Sequence, residues 1–526
     1  MDTPKTVEAP RRRSFAFLFR WKTWRVLLLF LACLATLLGL FHAEEDWRGK
    51  RAWETYKESQ EAAGVHFDIA RLIPPTVPDA ENFAMTPFLA PLFDFVPGTQ
   101  QRRDTNGYAR IYAALNLPEA LQGELRSGNW PKGKRVDLVK MANEWAASER
   151  QSNIFQAGQS AEAAGNILER LQPKAAIFEE LRQAAGRPHS RFNIAYDYQP
   201  EFGILLPHIG FLQQAVRALE LRACAELELG RTDAAAQDVA LMFRLGESVR
   251  DEPIIVSQMF RGSALTAALQ PVWEGLGRKQ WSDAQLKGFT RALEGAQLLE
   301  GLARAMDGER RFGESLFAGL LTARNPIYYV DDMTTGSPPG PTFGSELVGR
   351  SIGLLCPRGW IYLEELNYQQ LYGEQIANVT APNGIDPEDV QQRADNVLGK
   401  MGADGFLITV LHHRTIARIF LPAVSGSIWR AARAQDNGRL GLIACALERY
   451  RLANGQLPQS LEGLTPRFLA AMPRDVVMDL AFIYERGGGD DFTLYSLGWN
   501  MKDDHGVPSK ESVDDGDWVW RVAAGR

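Results

Sequence analysis

"ALELRACAELELGRTDAAAQDVALMFRLGESV", residues Ala218 to Val249, reads as a helix, a break at Gly230 and a second helix. Apolar residues return every three or four positions on both sides of the glycine, the period of an amphipathic helix. Ala223, Ala225, Ala235 and Ala236 are small enough to let the two backbones approach closely. The stretch therefore predicts a helical hairpin at the centre of the chain.

Helical signals continue from about residue 108 to about 430. Ser282-Asp-Ala-Gln285 is a capping box ahead of "LKGFTRALEGAQLLEGLARAM". Asp386-Pro387-Glu388-Asp389 sets a cap, a first-turn proline and first-turn acids ahead of "VQQRADNVLGKM". The central hairpin is similar to one tetratricopeptide unit. No second copy recurs at a fixed period, and a repeat array needs about three, so a single generic hairpin is expected. Pro and Gly interrupt the pattern at "NPIYYVDDMTTGSPPGPTFGSELVG", 325–349, the length of a lid or a surface excursion. Prolines among aromatics over 74–98 predict an extended arm laid on a core.

Near the N-terminus "VLLLFLACLATLLGLF", Val26 to Phe41, carries no charge. With its flanks it approaches the ~20 residues that span a bilayer. Residues 1–25 balance at +5, which leaves −11 on the remainder of a chain whose net charge is −6. By the positive-inside rule, 26–43 is a transmembrane anchor in the inner (cytoplasmic) membrane. The basic tail then lies in the cytoplasm and the acidic body outside, periplasmic in a cell with two membranes. Phe41 spoils a signal-peptidase site after Ala43, and Phe30 and Leu31 fit a lipoprotein signal at Cys33 poorly, so the anchor is expected to stay uncleaved. An acidic body excludes nucleic acid as the main partner. The four cysteines are widely spaced and form no disulfide framework or zinc motif.

From Arg433 the pattern changes. "DNGRLGLIACALERYRLANGQLPQSLEGLTPRFLAAMPRD" is a helix, a Gly-Pro loop and a short second helix, with Leu440, Ile443, Ala444 and Leu447 on one stripe. "AFIYER" and "DFTLYSLG" alternate as strands around a Gly487–Gly489 turn, and "WVWRV" is a last strand. Between the last two strands lies an acidic loop. The residues alone leave it either a hard-cation site or a solvated turn.

The order of these pieces resembles the C-terminal part of a type II secretion major pseudopilin. The resemblance rests on "ALERYRLANGQLPQSLEGL", "MPRD", "FIYE", "FTLYSLGWNMKDD" and "DDGDWVW", about the last fifth of the chain. It implies a calcium site whose ligands are Asn500, Asp503, Asp504, Asp515 and Asp517 with a backbone carbonyl near Leu497. The helix equivalent to the pilin anchor is internal and carries His412, His413, Arg414 and Arg418. The resemblance therefore implies a borrowed fold and not a filament subunit. The whole chain also resembles membrane-anchored bacterial proteins with such a tail, a resemblance that implies no activity.

The expected fold is mainly α: a hairpin-rich helical extracytoplasmic domain after one N-terminal transmembrane helix, then a small α+β module with an antiparallel sheet. Its segments are a basic tail (1–25), the anchor (26–43), a membrane-proximal helix and proline-rich arm (44–107), the helical domain (108–430) and the module (431–526). No HExxH, Walker or GxSxG motif occurs. A binding or assembly role with an envelope protein partner follows. The enzymatic alternative is an envelope hydrolase built on "RPHSRFNIAYDYQPEFGILLPHIG", with Asp197 and Glu201 as acid and base and His189 and His208 nearby.

Overall fold

The computed structural model describes residues 21–96, 99–126, 129–149, 157–196, 204–323, 356–398, 413–508 and 515–523. It divides into two compact units, one of residues 1–65 with 317–366 and one of 66–316 with 367–526. The long 325–349 segment lies outside the described residues.

In the first unit a single helix, α1 (Trp21–Ala62), contains the apolar run. Its most apolar 18 residues have a mean hydropathy of 2.4 and none of them is buried, so this helix is long and apolar enough to cross a membrane. The sequence suggested an anchor and then a separate polar helix. They are one continuous helix, because Ala43 to Asp46 contains no proline or glycine to stop it. Past the apolar run α1 meets the start of a helix at Arg358–Val379, and a methyl group on either Gly49 or Gly359 would collide with backbone there. Asp46 accepts the Gly359 amide (2.7 Å) and Glu45 accepts the Trp360 indole (2.9 Å). Acids at a helix N-terminus satisfy its orphan amides and its dipole. The acids that follow the apolar run therefore have a local structural task.

The second unit begins with short 3-10 turns, not the extended arm expected over 74–98. Asp79–Glu81, Phe83–Met85 and Ala90–Phe93 are such turns, and they bury Phe83, Leu92 and Phe93. Prolines removed the long-helix option but left single turns available. Helices α2 (Thr105–Ala114), α3 (Glu119–Arg126), α4 (Leu138–Ser148), α5 (Ser160–Leu171) and α6 (Ala175–Ala185) follow. The core is α7 (Pro207–Glu228), α8 (Thr232–Glu247) and α9 (Ile255–Gly277), each packed on the other two. The expected hairpin is α7 and α8, with Ala223, Ala225 and Ala235 fully buried and Ala236 half-buried. Arg261 of α9, 1% exposed, binds both oxygens of Glu247 of α8 at 2.7 and 3.0 Å.

Helix α10 (Asp283–Glu294) opens with the Ser282–Gln285 capping box, and both of its reciprocal hydrogen bonds are present. Then come α11 (Leu298–Thr322), α12 (the Arg358–Val379 helix) and α13 (Pro387–Leu398). Asp386 caps α13 through the amides of Glu388 (2.9 Å) and Asp389 (3.3 Å). On α11, Arg310 and Arg311 both bind Asp307 and are buried.

Helix α14 (Thr415–Asn454) is long and carries Pro422 inside it. Leu440, Ile443, Ala444 and Leu447 are fully buried on one face. The short second helix expected after it is one 3-10 turn, Leu461–Leu464. Strands β1 (Ile483–Arg486), β2 (Phe492–Ser496) and β3 (Trp518–Val522) form an antiparallel sheet in that order. Leu494 faces Trp520 and Ser496 faces Trp518. The expected boundary at 430/431 falls inside α14, and the sheet belongs to the same compact unit as the helices around α7 to α9.

Candidate functional site

The proposed acid and base, Asp197 and Glu201, lie outside the described residues. The two histidines lie in different settings. His189 is exposed, 3.8 Å from Glu81, on a surface groove shared with Pro74, Arg191 and Arg244. His208, at the start of α7, is fully buried, with its ring stacked on Phe192 at 4.2 Å and tilted against Phe93. Its Nε2 lies 3.1 Å from an oxygen of Glu252, and that same oxygen accepts the Ser257 hydroxyl. The carboxylate, not the imidazole, therefore contacts the serine. The arrangement is a buried polar knot between α7 and α9, in which Glu252 and not His208 holds the Ser257 hydroxyl.

The acidic loop brings its two limbs together. Asp517, 1% exposed, accepts the amides of Asp504 (3.3 Å) and Gly506 (2.7 Å). Burial raises its carboxyl above the usual range, the two amides oppose that, and Asp504 and Asp503 push it further up. Asn500 donates to Asp504 (3.1 Å), and Asp503 accepts the Tyr495 hydroxyl (3.3 Å) and the His505 amide (2.9 Å). Asp515 is exposed and Leu497 half-buried. Among the described residues no three His, Cys, Asp or Glu side chains converge on one point.

A different place has the features of a ligand site. Where α7, α9 and α14 cross in the second unit there is a cavity of about 550 Å³, within the usual range for small-molecule pockets. Beside it Gly262 of α9 and Ala434 of α14 let the two helices approach closely, as a methyl on Gly262 would lie 3.2 Å from the Ala434 Cβ. Val216, Met259 and Phe260 give it apolar walls, while Arg217, Glu220, Trp429 and Arg433 give it polar groups.

These polar groups are incompletely paired. Glu220 is 2% exposed and its Oε2 has no hydrogen-bond partner among the described residues. Burial drives its carboxyl well above the normal range; nearby Glu274 adds to this and Arg217 opposes it. Burial thus favours the protonated acid, a donor as well as an acceptor. The buried Trp429 Nε1 also lacks a partner. The Arg433 guanidinium lies 5.5 Å from the centre of the Trp429 ring and pairs with no carboxylate among the described residues; burial lowers its pKa. Arg217 donates to Gln122 (3.1 Å).

The sequence reading passed over these residues. Its available signal was charge among apolar neighbours: Arg217 and Glu220 lie one turn apart among fully buried Ala218, Leu219 and Leu221. Trp429 and Arg433 are likewise one turn apart on α14. No protein-family model matches the chain, and no curated protein or solved structure matches it either.

Proposed function

We propose that this chain is a single-pass membrane protein whose body lies outside the cytoplasm and acts by binding, either a ligand or an envelope protein partner, with no catalytic step of its own. The observation that carries the reading is the cavity between α7, α9 and α14, lined by Arg433 and by Glu220 and Trp429, each of which has a buried polar atom without a partner among the described residues. Buried polar atoms without partners are costly in a folded protein, and a ligand that pairs with them offsets the cost. The exposed apolar run of α1 supports the anchor, and the seven basic residues within 1–25 support an inside N-terminus. The hydrolase reading has weaker support, because His208 is buried and engaged by Glu252.

Paired reporters fused after Arg526 test the orientation. Alkaline phosphatase, which needs an oxidising compartment, should be active; a fluorescent protein that matures only in the cytoplasm should be dark. The reverse pattern would overturn the proposal.

A second reading concerns the acidic loop. We infer a calcium site in a pseudopilin-like module, supported by the crowding of Asp503 and Asp504 against Asp517. A divalent cation held by oxygens relieves that repulsion. In this reading Asn500, Asp503, Asp504, Asp515, Asp517 and the Leu497 carbonyl hold the ion, and its role is to fix the loop between β2 and β3.

A further inference from the structure

The binding reading leaves the ligand open, and the wall of the α7–α9–α14 cavity narrows its chemistry. We propose that the cavity binds an amphipathic monocarboxylate, with its head between Arg433, Trp429 and Glu220 and its apolar body against Val216, Met259 and Phe260. The inference rests on the binding role proposed above and adds the class of ligand.

Charge decides the head group. Arg433 is a half-buried cation on the cavity wall with no carboxylate partner among the described residues. An anionic head group offsets that charge, whereas a neutral one leaves it uncompensated. A cationic head would add a second charge to Arg433 and is excluded on the same ground. A planar carboxylate suits the guanidinium fork, which can donate two parallel hydrogen bonds. The orphaned atoms fit as well. The Trp429 Nε1–H is a donor only, and protonated Glu220 donates from its acid group. A carboxylate offers enough lone pairs for all three donors, whereas an alcohol or an amide head does not.

Shape decides the rest of the molecule. The remaining wall is mostly apolar, so a ligand made of head group alone would leave that surface wet. Arg430 is exposed at the margin of the cavity, where a cation raises the local concentration of an approaching anion.

The test uses the full chain in nanodiscs of zwitterionic lipid, titrated calorimetrically with 4-phenylbutyrate, 4-phenylbutanol and 4-phenylbutylamine against empty nanodiscs. These three probes share one apolar body and differ in the head. The acid should bind saturably, the alcohol about tenfold or more weaker, and the amine not at all. Arg433→Met should weaken the acid by about tenfold or more while leaving the alcohol unchanged. Trp429→Phe removes one donor from an otherwise similar wall and should weaken the acid several-fold, which keeps the test decisive if Arg433→Met does not fold. Absence of saturable binding of the acid, equal binding of the three probes, or an acid affinity unmoved by the folded variants would each overturn the proposal. The reporter fusions separate the two claims. Active phosphatase with no acid binding sinks the ligand class alone; a cytoplasmic body with intact, Arg433-dependent binding sinks the orientation alone.

Discussion

Trp520 of the last strand lies on Trp130, with ring centroids 4.7 Å apart and planes at 44°. Both rings are nearly or wholly buried. Trp130 precedes α4 and Trp520 lies 390 positions later, so the pair joins the C-terminal sheet to the helical core. Beneath them Gly441 of α14 makes room, since a methyl there would lie 2.7 Å from Leu269 and 3.4 Å from Trp520. Trp273 adds a hydrogen bond to the Arg521 carbonyl (2.7 Å).

Trp520→Ala should destabilise the second unit by about 3–5 kcal/mol, the cost of emptying a large aromatic site. Chemical denaturation followed by helical signal reads this. Because the sheet and the helices share a core, the main helical transition itself should move to lower denaturant. If only a small separate transition moves and the helical one stays, the sheet is an independent domain.

Glu309 on α11 accepts the Ile255 amide at the start of α9 (3.2 Å). Burial pushes its carboxyl up to about 7 from an ordinary 4.5, although the Ile255 amide draws it down. The folded state therefore holds a proton that the unfolded chain releases. Its contribution to stability is full below pH 4.5 and is lost as pH rises through about 7. Glu309→Gln keeps an acceptor for the Ile255 amide and cannot ionise. It should flatten that part of the stability profile and raise stability above pH 7. A profile with unchanged slope in Glu309→Gln would assign the pH dependence to other groups.

The calcium reading predicts a higher melting temperature in calcium than in chelator, abolished by Asp503→Ala. Asp517→Ala is a poorer probe, as it also strands the amides of Asp504 and Gly506 at a cost of about 1–3 kcal/mol. Equal melting temperatures with and without calcium, at millimolar metal, would reduce the loop to an acidic turn held by Asp517.

The sequence made the helices legible where a local rule acts alone. The Ser282 box, the Asp386 cap, the α7–α8 hairpin and the three strands all follow from caps, periodicity and turn residues within one short window. It was less informative where partners are distant in the chain. Proline content around residues 74–98 ruled out long helices but did not distinguish an extended arm from 3-10 turns, because what orders those turns is burial of Phe83 and Phe93 against other elements. Glu45 and Asp46 read as charges marking the outside of a membrane, and their contact with Gly359 and Trp360 depends on a helix more than 300 positions away. The cavity was invisible for the same reason, as its wall is drawn from three helices far apart in the chain. His208 read as a candidate catalyst because its aromatic and acidic neighbours in sequence suggest a site; its burial against Phe192 and Phe93 is a tertiary fact.

The most direct measurement of the central claim is protease accessibility of the native chain, followed with antibodies against residues 1–20 and against the body. In spheroplasts with intact inner membranes, added protease should digest the body and spare the N-terminal epitope. In inverted vesicles it should remove the N-terminal epitope and spare the body. A body protected in spheroplasts, or a chain released whole by alkaline carbonate, would contradict an anchored protein with an extracytoplasmic binding domain.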